Sequence, residues 1–572
     1  MKSVESSKVM KFKADLIVLA AGTMHHDFIA IFNSSPAMLP FCGKPLIYDT
    51  LLSFIDNFDG NVVVALPNLE KRIEKFLRVA FGERLNLRFV YPKTALKNQQ
   101  ALTLQECLIK KNEDNLSDAP LIVVHGDIHF DFKELASRLS RHQNKGAAFV
   151  QKGFKTDKYS YFVRNSYDQS ITHENAWTNN KNIWTDCGIY YFPSWQQLLE
   201  KKIQSTNIGT FLVEEFKDDG IQLFQIKEWL DLGVMDSATS IYNKVLGTRE
   251  FNSLKIDELT GSIIKESKKN FKILQEINYY LKLPKSLSFF FPRLFEFNLG
   301  FKTSYRLEYY PYKTASEYFV MYELSEVCWR NFFEHLFKIY EKFGEFKQRN
   351  TVSEEKVFEF YNGKLDKRIA ELRAQQNKQL LSLLEREHIT INDKEYAGLS
   401  PSLAYIKERV KELSKRVRPA VIHGDLCFSN ILFDPATNII KFIDPRGDFF
   451  EEGPYGDPRY DWAKLLHSIH GCYDYILMKM YRLQKLSENA FKFEIFISES
   501  TESVKKLFFD YLKKKFSFDQ INDLLVLEAM LFITMLPLHR DDPERQIAFL
   551  LTALKIVEEA KQMEELRDAD LL

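Results

Sequence analysis

The chain has 572 residues, and its 78 Lys and Arg balance 78 Asp and Glu, so it is formally uncharged at pH 7. That balance argues against a nucleic-acid coat or a polybasic membrane binder, and 22 Gly with 18 Pro exclude collagen-like and Pro/Gly-rich disordered classes. A 45% hydrophobic share, at about 150 residues per domain, predicts three or four compact units with large cores. Six cysteines (Cys42, Cys107, Cys187, Cys328, Cys427, Cys472) contain no CxxC pair, which excludes a zinc ribbon or disulfide framework and predicts free thiols. The first dozen residues lack a signal-type apolar run. The apolar stretch at 524–538, interrupted by Glu528, reads as a buried helix too short to span a bilayer. The expectation is a soluble cytoplasmic protein.

Residues 14–21 (ADLIVLAA) read as a buried strand ending at Ala21-Gly22, and residues 45–57 as a helix. Strands follow at 61–66, 87–91 and 119–124, the last running into His125-Gly126-Asp127, with a charged helix at 69–81. Strands alternating with helices predict a parallel-dominated α/β sheet, whose ligands bind beyond the carboxyl ends of the strands. The pattern changes near residue 245. Residues 251–265 read as a hairpin around Thr260-Gly261, 269–281 as a helix and 304–308 as a short strand. From about 314 the chain reads as mostly helical, with a charged amphipathic helix or pair at 352–390. A β-rich island returns at 419–444, and helices run to the end.

The sharpest spacing is His423-Gly424-Asp425-Leu426-Cys427-Phe428-Ser429-Asn430, followed by Ile443-Asp444-Pro445-Arg446-Gly447. An Asp and an Asn five residues apart fit one tight loop, and a strand–turn–strand brings the later Asp444 back beside the Asn. Phosphoryl transfer from ATP needs this set: one carboxylate to orient a hydroxyl and accept its proton, and an Asn plus a carboxylate to hold Mg²⁺ on the phosphates. These motifs resemble the aminoglycoside phosphotransferase and choline/ethanolamine kinase superfamily, a branch of the protein-kinase-like fold. The resemblance implies Asp425 as catalytic base, and Asn430 and Asp444 as Mg²⁺ ligands. It implies Lys265, on a strand, as the residue that holds the ATP phosphates, oriented by Glu276 on the next helix. It also implies a hinge at 306–309, with Glu308, near adenine. Of a glycine-rich phosphate loop only Gly261 is present. Asp461 reads as a brace for the catalytic loop in preference to a substrate ligand, and residues 537–543 as an acceptor-pocket lining or a simple turn.

In the amino-terminal half, Ala21-Gly22, Lys44-Pro45, Asp127, residues 185–190 and Trp229-Leu230-Asp231-Leu232-Gly233 occur in an order that resembles sugar-nucleotide pyrophosphorylases and phosphocholine cytidylyltransferases. The resemblance implies a Rossmann-like, GT-A-like nucleotidyltransferase sheet in which Asp127 and Asp231 hold Mg²⁺ for attack on an NTP (CTP or another), with Ala21 and Gly22 at the nucleotide. The family's loop Arg has no counterpart in 23–27, and Pro36 stands at its Lys position; His25, His26 or Lys93 are the available substitutes. The domains expected are a nucleotidyltransferase-like 1–247, a kinase-like amino-terminal lobe 248–312 and a helical carboxy-terminal lobe 313–572. The function expected is phosphorylation of a sugar, polyol or amino alcohol by Mg-ATP. It is coupled to nucleotidyl transfer onto that phosphate, for cell-surface polysaccharide (capsule) or lipid decoration. The alternative is a small-molecule kinase whose first domain only binds a nucleotide or sugar. A small-molecule partner is expected, without nucleic acid or membrane insertion. The oligomeric state stays open.

Overall fold

The computed structural model describes residues 11–568 except 22–34, 39, 42–43, 68–70, 94–98, 141–143, 153–158, 167–168, 176–181, 202, 204, 218–219, 233–251, 258, 268–269, 300–302, 323, 349–351 and 376–377. The chain divides into two compact units, Met1–Val245 and Leu246–Leu572.

In the first unit β1 (Asp15–Leu19) is buried at every position. It is followed by α1 (Leu46–Asn57), β2 (Val62–Ala65), α2 (Lys71–Phe81), β3 (Leu87–Val90), α3 (Gln100–Glu113), β4 (Leu121–His125) and β5 (Ile128–Phe130). Then come β6 (Ala147–Gln151), β7 (Tyr161–Arg164), β8 (Ile171–Glu174), β9 (Ile183–Phe192), β10 (Gln222–Gln225) and β11 (Trp229–Asp231). One nine-stranded sheet runs β8-β7-β9-β4-β1-β2-β3, with β6 paired to β9 and β10. The continuous Val/Ile/Leu runs of β1, β2 and β4 suit strands covered on both faces. β1 to β4 are mutually parallel neighbours, but β9 lies antiparallel to β4, β6 and β7. The sheet is therefore mixed, not parallel-dominated as the alternation predicted. The link from β7 to β8 is too short for a crossover helix and makes them antiparallel neighbours, and β9 pairs antiparallel with the other edge of β7. The core gathers Ile17, Val63, Leu104, Leu108, Val123, Tyr190 and Trp195. Lys111 of α3 is fully buried, paired with Asp15 at the start of β1, and lies 4.9 Å over the Trp195 ring.

The second unit opens with the hairpin β12 (Asn252–Asp257) and β13 (Ser262–Ser267), then α4 (Asn270–Lys282), β14 (Leu294–Asn298) and β15 (Ser304–Glu308). The four strands form an antiparallel sheet in the order β12-β13-β15-β14. Gly261 turns the hairpin at φ +58, a conformation that favours glycine. Ile273 and Ile277 of α4 pack on Tyr305 and Leu307 of β15.

The remainder runs α5 (Glu326–Glu345), α6 (Glu354–Arg373), the hairpin β16 (His388–Ile391) and β17 (Lys394–Ala397), α7 (Leu399–Ser414), and the hairpin β18 (Ile431–Asp434) and β19 (Ile439–Phe442). It closes with α8 (Pro458–Ile469), β20 (Tyr481–Lys485), β21 (Ala490–Ile495), α9 (Glu499–Lys515), α10 (Phe518–Met535) and α11 (Pro543–Asp568). Two corrections to the helical reading follow. Residues 388–391 are a strand, not the end of a helix, and 481–495 form a hairpin where unbroken helix was expected. Ile389 and Ile391 alternate inward on β16, as do Phe491 and Phe493 on β21, a period of two that suits only a strand. The two hairpins join into the sheet β17-β16-β21-β20. Helix α10 is longer than the stretch 524–538 suggested. The segment Phe518–His539 is long and apolar enough to cross a membrane, yet 89% of its most apolar window is buried inside the unit. Among the described residues, Cys107, Cys187, Cys328, Cys427 and Cys472 are free thiols.

Candidate functional site

The loop 423–430 is closed by its own backbone: Cys427 N–H donates to the Asp425 carbonyl at 2.9 Å, and Asn430 N–H to the Cys427 carbonyl at 2.9 Å. Gly424 sits at φ +80, and a Cβ there would lie 2.8 Å from Cβ of Arg446. The Asn430 side-chain amide donates to the Asp425 carbonyl (2.9 Å) and to Asp425 Oδ2 (3.2 Å). The β18–β19 hairpin then returns the chain, with Ile443 N–H donating to the Asn430 carbonyl at 3.0 Å. Asp444 follows at φ +55, an uncommon backbone conformation for a residue other than glycine. Lys265 of β13 donates to Glu276 of α4 and to Asp444, both at 2.8 Å. Tyr305 also donates to Glu276. Gly447 lets this segment abut α4, since a Cβ there would meet the Gln275 carbonyl at 1.8 Å.

Five of the residues singled out in the sequence are thus brought together: Asp425, Asn430 and Asp444 from the motif spacing, and Lys265 and Glu276 from the resemblance. Glu308 is not among them. It ends β15, where its carboxylate accepts from the Tyr310 hydroxyl at 2.8 Å. Residues 536–543 are tied into the helical part by Lys479, which pairs with Asp542, and by Gln546, which donates to the Leu536 carbonyl at 2.7 Å.

One face of α8 holds the loop. Asp457 caps the helix, accepting from Arg459 N–H at 3.0 Å, with Pro458 in its first turn. Asp461 accepts from the backbone N–H of His423 (2.6 Å) and of Gly424 (2.8 Å), and from the Tyr340 hydroxyl of α5 (2.8 Å). Lys464, one turn on, pairs with Asp425 at 2.9 Å, and Ser468 accepts from Phe428 N–H at 3.0 Å. Asp461 therefore braces the loop, whereas Lys464 was missed in the sequence. Its signal was a polar residue at i+3 between Asp461 and Ser468, on a helix otherwise rich in Trp462, Leu465, Leu466 and Ile469.

The electrostatics follow from these contacts. Burial pushes the Asp425 carboxyl up, but the Lys464 ammonium prevails and holds it well below the usual carboxylate range. Its side chain is still 41% exposed, so it stays open to solvent. Burial pushes Asp461 up to about 7, against its three donors. Burial lowers His423 to about 4. The neutral ring donates from Nε2 to the Ile443 carbonyl (2.9 Å) and accepts at Nδ1 from Asp425 N–H (3.2 Å). Lys265 loses proton affinity to burial and more than regains it from Asp444 and Glu276. Asn430 and Asp444 offer hard oxygen donors of the kind Mg²⁺ takes. Among the described residues no group of three or more His, Cys, Asp or Glu could hold a metal. Two protein ligands completed by phosphate and water oxygens are a common Mg²⁺ arrangement.

In the first unit the carboxyl ends of β1 and β4 nearly touch. Gly126 N–H donates to the Leu19 carbonyl at 3.0 Å, and a Cβ on Gly126 would lie 2.8 Å from the Ala20 Cα. The chain order β3-β2-β1-β4 makes this a topological switch point, where open α/β sheets bind ligands. Ala21 is buried there. The short ladder of β5 with β11 sets Asp231 opposite Ile128, and the Asp127 carbonyl accepts from Leu232 N–H at 2.8 Å. Asp127 and Asp231, far apart in sequence, thereby stand at the same end of one short ladder, Asp231 on it and Asp127 just before it. Lys93 is exposed and its N–H donates to Glu106. Pro36 opens a 3-10 turn beside Ser35, whose hydroxyl donates to the Ala20 carbonyl at 2.8 Å. Gly22, His25, His26 and Gly233 lie outside the described residues.

No family model matches the chain, and no curated protein matches it. Solved structures that match include a chain described as a glucose-1-phosphate thymidylyltransferase of Bacillus anthracis in complex with sucrose (16% identity, TM-score 0.34, covering 41% of this chain and 96% of that one). A nucleoside-diphosphate-sugar pyrophosphorylase of Vibrio cholerae RC9 matches at 17% identity and a TM-score of 0.31, covering 40% of this chain and 98% of that one. HddC of Yersinia pseudotuberculosis matches at 14% and 0.31, covering 40% and 99%. Likenesses this shallow leave the reading of the chain to its own residues.

Proposed function

We propose that the second unit is a two-lobed, kinase-like phosphotransferase that moves the γ-phosphoryl group of ATP to a hydroxyl of a small metabolite. The observation that carries this is Lys265, bound at once to Glu276 and Asp444 and set with them beside the Asp425–Asn430 loop. In this reading Lys265 binds donor phosphates and Asp425 orients the acceptor hydroxyl. Asn430 and Asp444 would hold Mg²⁺, which when bound neutralises charge on the phosphate oxygens. The acceptor oxygen bonds to Pγ as the bond from Pγ to the bridging oxygen breaks. ADP leaves with that electron pair, and the hydroxyl proton passes to Asp425. A carboxylate kept so acidic by Lys464 accepts the proton late, which suits a loose transition state.

For the first unit we propose nucleotidyl transfer onto the phosphate so made, giving an NDP-activated precursor for surface polysaccharide or lipid decoration. Support comes from Asp127 and Asp231 standing at the same end of one short ladder, just past the carboxyl end of β4. The lack of an Arg in 23–27, and Pro36 in place of a Lys, favour a second reading for this unit alone: it binds a nucleotide or sugar nucleotide without turnover. The test is a screen of ATP, CTP, GTP and UTP against sugars, polyols and amino alcohols, with ADP and pyrophosphate read separately. ADP formation that Asp425→Asn reduces by about 10²- to 10⁴-fold, with ATP still bound, is the expected result. Undiminished turnover in that variant would refute the phosphotransfer assignment. Pyrophosphate from no NTP would decide for the binding module.

A further inference from the structure

Three cations, Lys464, Lys364 and Arg446, stand together beside the Asp425 loop in the second unit, and among the described residues only Lys464 pairs with a carboxylate. Lys464 is taken by Asp425. Lys364 of α6 donates to the Tyr460 hydroxyl at 2.7 Å and has no carboxylate partner among the described residues. Arg446, two residues past Asp444, gives its Nε to the Asp448 backbone carbonyl at 2.6 Å and lays its guanidinium over the Phe360 ring at 5.4 Å. It too lacks a carboxylate among the described residues. Phe360 and Lys364 lie one turn apart on α6, and Tyr460 and Lys464 one turn apart on α8, so the three positive groups converge. Their mutual influence shows in both directions. Burial lowers the Lys364 pKa, Tyr460 opposes it, and Arg446 and Lys464 add to the lowering; burial raises the pKa of the Tyr460 phenol, and Lys364, Lys464 and Arg446 outweigh it. Two other cations of this unit are differently served. Lys265 has two carboxylates, and Arg459 has Asp457 at 2.9 Å and Asp523 at 3.8 Å. Unbalanced positive charge in a poorly hydrated place is unfavourable until an anion arrives.

We infer, resting on the phosphotransfer reading, that the acceptor is itself an oxyanion. It would be a hydroxy acid or an already phosphorylated sugar or polyol, whose anionic group is held by Lys364 and Arg446 while its hydroxyl meets Asp425. Such an acceptor reaches the enzyme from a reaction that installs a carboxylate or phosphate and leaves a hydroxyl free. Substrate charge is then read by these cations, and neutral or cationic hydroxyl compounds are poorly held.

The test is calorimetric titration of the full chain, saturated with Mg²⁺ and a non-hydrolysable ATP analogue, with inorganic phosphate, glycerate and glycerol. Inorganic phosphate probes the phosphate source and glycerate the carboxylate source, while glycerol is the neutral control. Saturable binding of at least one anion with none of glycerol is expected. Lys364→Met and Arg446→Met should each weaken it by about tenfold or more, and Lys364→Arg should restore it. Glycerol bound as well as the anions, anion binding unchanged in both Met variants, or no anion binding overturns the inference. Anion binding that vanishes when the analogue is added also overturns it, because the cations would then serve the donor phosphates. An analogue that does not bind at all overturns the phosphotransfer reading itself.

Discussion

In the proposed phosphotransfer, Asp425 answers two demands: it must remain ionised, and it must stay open to a hydroxyl. Lys464 at 2.9 Å secures the first, and the 41% exposure of the side chain the second. Lys464→Met removes the charge that opposes burial, so the Asp425 pKa rises. Because the rate follows the ionised fraction, the acid limb of the pH–rate profile for ADP formation should move to higher pH. An unmoved limb would show that Lys464 does not set this titration. At this scale the site was legible where contacts are local. Asp425, Asn430 and Asp444 are joined by a tight loop and a hairpin, whose geometry follows from spacing. Lys265 and Glu276 needed only a strand and the next helix. Lys464, Lys364 and Arg446 were not read, because a lysine on a helix looks like a solvated charge until the fold shows what it faces.

Helix α8 carries the loop on Asp461, Lys464 and Ser468, and its loss should be felt as stability. Asp461→Ala strands the His423 and Gly424 N–H groups and the Tyr340 hydroxyl in the interior. At about 1–3 kcal/mol per orphaned group, partly relieved by relaxation, the second unit should lose about 2–4 kcal/mol, read from the midpoint of a urea titration. The same helix is tied at its far end to α10, where His470 meets Glu528 at 2.9 Å, and Glu559 of α11 at 3.2 Å. Burial lowers the His470 pKa, but Glu528 and Glu559 raise it to about 10. A histidine whose folded pKa is raised contributes stability in full below about 6.5 and loses it as pH climbs through the folded value. The thermal midpoint should therefore fall between pH 7 and pH 10, and His470→Gln should flatten that slope. Most helices and the parallel strands were visible as apolar periodicity. The hairpins at 388–397 and 481–495 were not, although Phe491 and Phe493 alternate cleanly, because short strands among charged helices are outweighed by their surroundings.

Each unit of the chain has its own sheets, and the chemistry proposed for each is separable. Asp127→Ala should abolish pyrophosphate release, or weaken Mg²⁺-dependent nucleotide binding if that unit only binds, while ADP formation continues at the wild-type rate. A parallel loss of ADP formation would show the two activities to be coupled. The change of pattern near residue 245 foretold the division at Val245 and Leu246, because a switch from alternating strands and helices to hairpin and helix survives in one dimension. The antiparallel return of β9 did not, since pairing partners are chosen in space. The pairing of β16 with β21 sets Thr390 beside Ala490 and Ile391 beside Phe491. A ribosome adds about 5–20 residues per second, so the β16–β17 hairpin emerges roughly 5–20 s before the strand that completes it exists. Through that interval its edge is open to any passing chain. The exposed Lys394 and Glu395 lie on β17, which stays at the edge of the completed sheet, and place charge where a foreign strand would dock in the newborn polypeptide and in the finished fold alike.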